Sequence, residues 1–150
     1  MAVRRNCSGF TLIELVVAVA IMVILTGLAL PMARVAIRTQ KERELKSVLR
    51  EMREAIDRYK DAADRGAFVK ADTQGYPPDL DTLVKGIELN GKKVRFLRAV
   101  PVDPMTGKAE WGMHSMEDDP ESDSWDSKYV WDVYSTSQDT ALDGSRYREW

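Results

Sequence analysis

The sequence predicts an α+β fold, in which one long N-terminal helix packs on a small antiparallel sheet. Apolar residues recur with helical spacing over residues 10–65, and no Gly or Pro interrupts the pattern between Pro31 and Gly66. After Gly66, short segments rich in β-branched and aromatic residues alternate with turn residues, which is typical of short strands. About 115 residues remain outside the apolar N-terminal segment, enough for one small domain and not for two.

The first half of the predicted helix is apolar enough to cross a membrane. From Phe10 to Leu30 the one charged residue is Glu14. At about 1.5 Å per residue this segment spans about 31 Å, close to the hydrocarbon thickness of a bilayer. A charge is costly there, so Glu14 is a functional candidate, the alternative being an acid that reaches the interface and has no role. We assign residues 10–33 to this helix.

The small residues lie before the apolar segment, whereas a secretory signal has its cleavage site after the apolar core. A cut after Gly9 would remove a basic leader, residues 1–9, and keep the helix. The arrangement resembles the leader of type IV pilins and of type II secretion pseudopilins. The resemblance rests on the string Gly9-Phe10-Thr11-Leu12-Ile13-Glu14.

The resemblance implies specific roles for three of these residues. A prepilin peptidase would cut between Gly9 and Phe10 and methylate the new amino group of Phe10. Glu14 would pair with the Phe10 amino group of a neighbouring subunit and set the axial register of a filament. A carboxylate buried among packed helices needs such a partner, because an unpaired buried charge is strongly penalised.

A kink is predicted near the end of the apolar segment. Pro31 has no N–H and its ring clashes with the carbonyl group four residues earlier, at Gly27. The alternative is the ordinary end of a membrane span. Because the helical pattern continues beyond Pro31, we favour a kink that loosens on assembly.

The second half of the helix, residues 34–65, is amphipathic, and Gly66 is expected to end it. Its apolar stripe is interpreted as core and its charges as a solvated face, within one helix of about 55 residues. Three acid-before-base pairs at i,i+4 support it. They are Glu42–Lys46, Glu54–Arg58 and Asp61–Arg65.

Residues 66–150 are predicted to form a small α/β domain. Asp79 is expected to cap a short helix that includes Leu83, and Asn90-Gly91 marks a turn. Extended structure is expected over 93–102, and strands over 110–116 and 129–135. The segment 96–104 followed by Asp132-Val133-Tyr134-Ser135 resembles the C-terminal half of major, G-type pseudopilins, in which a helix packs on a small antiparallel sheet.

A calcium site is the cofactor that this resemblance implies. Major pseudopilins bind Ca²⁺ in the loop after the matching strand, and Asp139 and Asp143 stand at that place. The family loop is usually longer and richer in glycine, and the alternative is two aspartates that shape turns. Seven acids without Lys or Arg lie between Ala109 and Ser127, which we interpret as a solvated loop rather than a metal site.

The sequence argues against an enzyme. Its one cysteine, Cys7, lies in the leader, so the cleaved chain has no disulfide and no cysteine nucleophile. His114 is interpreted as a strand residue rather than a catalytic base, and no phosphate loop or zinc-protease motif occurs. A net charge of −2 provides no case for nucleic acid. A single-span periplasmic enzyme or binding module is the alternative from another class.

The resemblance therefore predicts a structural subunit of a type II secretion pseudopilus. Its expected partners are further copies of itself, minor pseudopilins, the prepilin peptidase, the inner-membrane platform with its assembly ATPase, and membrane lipid before assembly. The helix would cross the bacterial inner membrane once, with the domain in the periplasm. A type IV or competence pilin is the alternative, although many pilins close a C-terminal loop with a disulfide that this chain cannot form.

Overall fold

The computed structural model describes residues 9–66, 68, 73–89, 91–118, 125, 126 and 128–150, without the side chains of residues 28–31. Helix α1 covers Leu12–Asp64 and α2 covers Leu80–Lys85. Four short strands follow, and a 3-10 helix, Tyr147–Glu149, lies near the C-terminal end. The strands are β1 (Ile87–Leu89), β2 (Lys92–Val94), β3 (Trp111–His114) and β4 (Asp132–Ser135).

Helix α1 has 53 residues, close to the predicted length, and it ends where glycine was expected to end it. Gly66 has a φ of 71°, in the left-handed region that favours glycine. Its N–H donates to the carbonyl oxygen of Ala63 at 3.0 Å. The helix therefore ends at the glycine that the sequence predicts.

The chain divides into two compact units, Met1–Arg38 and Thr39–Trp150. In the second unit, the apolar stripe of α1 forms one side of the hydrophobic core. Its buried residues recur at three- and four-residue steps, as a helix face requires. They are Leu45, Leu49, Met52, Ile56, Tyr59 and Ala63. Leu83 of α2 and Val133 of β4 are fully buried in the same core.

Strands β1 and β2 form an antiparallel hairpin that follows α2. Asp79 caps α2 by accepting a hydrogen bond from the Thr82 N–H at 2.6 Å, as predicted. Gly86 ends α2 with a φ of 76°, and a Cβ at this position would collide with the Val94 carbonyl oxygen. Close packing of α2 on the hairpin therefore requires glycine here.

Strands β3 and β4 form a second antiparallel pair, with Gly112 opposite Tyr134. The Tyr134 ring lies across Gly112, where a Cβ would overlap it. Asp103 is fully buried beside this pair and accepts hydrogen bonds from the Ser135 hydroxyl at 2.6 Å and the Met105 N–H at 2.7 Å. These two bonds satisfy the carboxylate and tie the turn that begins at Asp103 to the end of β4.

The α+β fold is the one the sequence predicts, but the strands differ from the prediction in number, pairing and ends. The described residues contain two separate two-stranded sheets, and β1 was not expected. The extended segment predicted over 93–102 is a strand only to Val94, because the N–H groups of Phe96 and Leu97 donate to the Leu83 carbonyl oxygen instead of to a strand. The predicted strand over 129–135 begins late for the same kind of reason, since the Val130 N–H donates to Pro77. Asn90 of the predicted turn lies outside the described residues.

Candidate functional site

The predicted processing and register residues lie at the start of α1. Phe10 is 78% exposed and Glu14 is also exposed, in the first turn of the helix. The Glu14 N–H donates to the Thr11 hydroxyl oxygen at 3.3 Å, so Thr11 caps the helix. Thr11 and Glu14 have the Thr-x-x-Glu spacing of a capping box. The string from Gly9 to Glu14, predicted to be the processing site, therefore also contains the residues that start the helix.

The helix that follows presents apolar side chains to its surroundings on every side. Leu12 is 84% exposed, and the most shielded of the large side chains described over residues 10–27, that of Val17, is 48% exposed. Among the described residues, α1 is the one helix that is long and apolar enough to cross a membrane. An apolar segment with no core of its own needs a bilayer or other helices around it.

The predicted kink residues lie within the continuous helix. The helical backbone runs through Gly27 and Pro31. Apart from its chain neighbours and the nearby backbone of the helix itself, no described atom lies within 4 Å of where a Gly27 Cβ would be, so no described side chain requires glycine there. The Thr26 hydroxyl donates to the Met22 carbonyl oxygen at 2.7 Å, a bond that often accompanies bending of a helix. The side chain of Pro31 lies outside the described residues, and the kink stays a prediction.

The C-terminal loop, residues 137–146, contains the predicted calcium ligands. An antiparallel bridge joins Thr140 to Arg146, and the Ala141 N–H donates to the Ser145 carbonyl oxygen at 2.7 Å. Asp143 stands at the tip, where its Oδ1 accepts from both the N–H and the hydroxyl of Ser145, at 2.9 and 2.6 Å. These two bonds lower the pKa of Asp143 below its ordinary value.

Asp139 lies on the other side of this loop and is exposed. Its backbone N–H donates to the Ser137 hydroxyl oxygen at 3.3 Å. The described residues contain no group of three acidic, histidine or cysteine side chains that could hold a metal ion. A calcium ion would therefore need backbone carbonyl oxygens beside the two carboxylates, and one oxygen of Asp143 is already engaged by Ser145. Calcium binding at Asp139 and Asp143 stays a prediction.

The residues that attach the C-terminal segment to α1 were not predicted. Glu42 Oε1 accepts from the Leu142 N–H at 2.9 Å and from the Tyr147 hydroxyl at 3.0 Å. One helical turn later, the Lys46 ammonium lies 4.1 Å from the centre of the Trp150 ring. The sequence pattern predicted a pair between Glu42 and Lys46. In the structure both side chains contact the C-terminal segment, Glu42 at Leu142 and Tyr147 and Lys46 at Trp150.

Arg53 lies on the same face of α1 as Glu42 and Lys46 and also binds the C-terminal part of the chain. Its Nε and Nη2 donate to the two carboxylate oxygens of Asp132, at 2.6 and 3.2 Å, and Nη2 also donates to the carbonyl oxygen of Trp150 at 2.5 Å. Residues 42, 46, 49 and 53 follow i, i+4, i+7, i+11 spacing, so they share one helix face. This spacing predicts from the sequence that the four residues share a face, but it does not identify the residues that they bind.

The acid-rich segment is only partly described. The Lys128 Nζ lies 3.1 Å from Asp126 Oδ2 and 3.2 Å from Glu117 Oε2. Hydrogen bonds from the backbone N–H and the side chain of Lys128 lower the pKa of Asp126. Asp118 accepts a hydrogen bond from the Ser115 N–H at 2.7 Å. Asp119, Glu121 and Asp123 lie outside the described residues. His114 lies in β3, as expected, and its ring stacks on Tyr134 with centroids 4.5 Å apart.

A groove on the domain collects three guanidinium groups. It has a volume of about 370 Å³ and is lined by Arg58, Arg95 and Arg98, with Glu51 on the helix side and Phe96 and Leu97 behind. Arg58 donates to the carbonyl oxygens of Glu54 and Phe96, at 3.1 and 3.0 Å, instead of forming the predicted pair with the Glu54 side chain. The Asp61–Arg65 pair does form, at 3.7 Å.

Comparison with known proteins identifies one feature of the chain. The family model of the prokaryotic N-terminal methylation motif matches residues 4–30. The matched segment includes Gly9, Phe10, Glu14 and Gly27, and Pro31 follows it directly. No curated protein and no solved structure matches the chain. The chain thus carries a type IV pilin-like prepilin signal on a pilin-like α+β fold, which favours a structural subunit over an enzyme.

Proposed function

We propose that this chain is a structural subunit of a type II secretion pseudopilus. The observation that carries the proposal is the methylation motif at residues 4–30, placed at the start of a helix whose apolar side chains are exposed. A helix of this kind can be held in a bilayer before assembly and among other copies of itself afterwards. The proposed mechanism is polymerisation through this helix.

In this mechanism a prepilin peptidase removes residues 1–9 and methylates Phe10. Glu14 of one subunit pairs with the Phe10 amino group of the next, so the two charges compensate each other in the filament core and fix the axial register. Gly27 and Pro31 provide the helical turn that is kinked and loosens on assembly. An inner-membrane platform and its ATPase drive growth, and minor pseudopilins join the same filament, which pushes secreted proteins outward from the periplasm.

A type IV or competence pilin is the second candidate, because it would begin with the same motif. The sequence favours the pseudopilin through its cysteine content. Many pilins close the C-terminal loop with a disulfide, and here Cys7 is the one cysteine in the chain. The structure closes the corresponding loop with Glu42 and Ser145, so a disulfide is not needed for its shape.

Mass spectrometry of the protein purified from membranes tests the processing step. We expect a chain that begins with N-methylated Phe10. An intact Met1 terminus, or a cut after the apolar segment, would contradict the proposal. Electron microscopy of cells that overproduce the chain together with a secretion operon then separates the candidates: periplasm-length filaments that depend on the operon indicate a pseudopilus, and filaments formed without it indicate a pilus.

A further inference from the structure

A larger groove lies on the outer face of the strand pair β3 and β4; we call it the sheet groove. Val133 of β4 is buried in the core, so its neighbours Asp132 and Tyr134 lie on the opposite face of the pair, together with His114 of β3. The C-terminal 3-10 helix borders this face, and the groove has a volume of about 910 Å³. That volume lies within the range of small-molecule binding sites.

Trp131 lines the sheet groove and differs from the other three tryptophans of the chain. The indole N–H groups of those three donate to oxygen atoms of Pro101, Tyr129 and Ser145. The Trp131 indole has neither an acceptor nor a ring partner among the described residues, and Trp131 is 44% exposed. An exposed indole offers a flat apolar face and a hydrogen-bond donor, so it favours a ligand that is apolar on one side and polar at its edge.

His114 provides a second polar atom that the chain leaves unpaired. It lines the sheet groove, and its Nδ1 is buried without a hydrogen-bond partner in the described part of the chain. Buried polar atoms of native proteins are nearly always hydrogen-bonded. A hydroxyl group both donates and accepts, so a ligand that carries hydroxyl groups can bond to an imidazole nitrogen in either tautomer.

The charged side chains of the sheet groove balance one another. Arg53 and Asp132 pair through two hydrogen bonds, at 2.6 and 3.2 Å. A charged ligand of either sign would meet like charges as well as opposite ones, which favours a neutral ligand whose polar groups bond to both. Three guanidinium groups and three carboxylates line the groove, and they belong to Arg53, Arg146, Arg148, Asp118, Asp132 and Glu149.

We propose that the sheet groove binds a neutral oligosaccharide. A pyranose ring carries no charge, has hydroxyl groups around its edge and presents C–H groups on its faces. The C–H groups would pack on the Trp131 indole, whose face carries partial negative charge. The hydroxyl groups would bond to the balanced carboxylates and guanidinium groups and to His114. The proposal concerns the domain alone and does not depend on assembly into a filament.

NMR of the full-length chain, in a detergent without a sugar head group, tests the proposal. His114 is the one histidine of the chain and gives its own imidazole signal, and Trp131→Phe identifies the Trp131 indole signal. The probes are chitotriose and cellotriose, two neutral trisaccharides of which only chitotriose carries acetamido groups. We expect at least one of them, at millimolar concentration, to shift the His114 and Trp131 signals. The Trp111 indole signal should stay unchanged, because its N–H donates to Pro101 and Trp111 does not line the groove.

Titration of the His114 signal in variants tests the role of the indole. Trp131→Ala should weaken binding of the better probe about tenfold or more, because the surface that the pyranose ring packs on is lost. Trp131→Phe keeps an aromatic face and should weaken binding less. The matched control is Leu142→Ala, at a residue that is 46% exposed and does not line the groove, and it should bind as the unaltered chain does. Thermal melting in the same detergent shows whether each variant is folded.

Three results would overturn the proposal. The first is that neither trisaccharide shifts the His114 and Trp131 signals. The second is a folded Trp131→Ala variant that binds as tightly as the Leu142→Ala control. The third is tighter binding of trigalacturonate, an anionic trisaccharide, with an affinity that falls steeply as salt is added, because the groove would then select charge instead of a neutral ring.

Discussion

The two halves of α1 use apolar residues in opposite ways. In the second half, Leu45 and Met52 are completely buried against the domain. In the first half, Leu12 and Met22 are 84% and 66% exposed, and no apolar residue from Phe10 to Leu25 is buried. One continuous helix therefore contains a segment that belongs to the chain's own core and another that does not. The difference teaches that the first segment is stabilised by surroundings that the single chain does not supply.

The size of that difference favours an intermolecular role. Full burial of one Leu, Ile or Val side chain contributes about 1.5–3 kcal/mol, so a row of them strongly favours any environment that excludes water. The single acid in this row, Glu14, opposes burial unless it finds a cation. The first half of α1 therefore needs a bilayer or other helices around it, and in the proposed filament Glu14 would distinguish between these two environments.

The largest expected effect is from Glu14→Ala. This change removes the charge that we propose to pair with Phe10 of the next subunit, so filaments should be lost while the chain still inserts into membranes. Sheared-filament yield and membrane fractionation measure the two results separately. Glu44→Ala, at an exposed position in the second half of the helix, should assemble as wild type. Normal filaments from the Glu14 variant would refute the register role.

A second comparison exchanges leucine for alanine in each half of α1. Leu49 is 2% exposed, and Leu49→Ala should lower the free energy of unfolding by about 2–5 kcal/mol, because it leaves a cavity in the core. Leu25 is 61% exposed, and Leu25→Ala should leave that free energy unchanged. Thermal melting of both full-length chains in the same detergent measures the difference. Equal destabilisation would show that the first half has a core of its own.

The division of α1 could be predicted from the sequence, and so could its ends. Helical periodicity located the buried stripe, Gly66 marked the end, and Asp79 marked the next helix, because each of these signals is local. The motif from Gly9 to Glu14 likewise identified the predicted processing and register residues without knowledge of the fold.

Contacts between distant segments could not be predicted in this way. Glu42 accepts a hydrogen bond from Leu142, which lies 100 residues later in the chain, and Arg53 binds Asp132. No spacing rule connects residues so far apart in the sequence. Local i,i+4 pairing was expected for Glu42, but the Leu142 N–H and the Tyr147 hydroxyl also need an acceptor, and a carboxylate provides a stronger one. The strands were misplaced at their ends for a related reason, because their backbone groups donate to Leu83 and Pro77 rather than to a neighbouring strand.

The attachment of the C-terminal segment provides the third test. Glu42→Ala removes the acceptor of the Leu142 N–H and the Tyr147 hydroxyl, and it should lower the free energy of unfolding by about 1–2 kcal/mol. Chemical denaturation of the full chain measures it. Glu44→Ala again serves as the control, since it removes the same charge from the exposed side of the helix. A Glu42 variant as stable as the control would show that these bonds contribute nothing.

Calcium should have a smaller effect. If Asp139 and Asp143 bind Ca²⁺ with the weak affinity of extracellular modules, an excess of a few times Kd stabilises the domain by about 1 kcal/mol, a rise in Tm of about 4 °C. The double change Asp139→Ala and Asp143→Ala should abolish the rise. Magnesium at the same concentration controls for ionic strength. No shift with millimolar calcium would remove the metal prediction.

The smallest expected effect is the acid dependence of the same loop. Hydrogen bonds from Ser145 lower the pKa of Asp143 in the folded chain, so its contribution to stability is present above the ordinary aspartate pKa of about 4 and is lost as the pH falls through the lower folded value. Because Asp143 is fully exposed, the effect is a small one.

Ser145→Ala removes a donor, so the pKa of Asp143 should return toward its ordinary value and the acid transition of this loop should move to higher pH. NMR titration of the Asp143 carboxyl in the full chain in detergent measures this shift. An unchanged pKa in the Ser145 variant would show that the Ser145 bonds do not set the pKa of Asp143, and the shape of the C-terminal loop would then rest on its backbone bridge and on the Glu42 contacts rather than on Asp143.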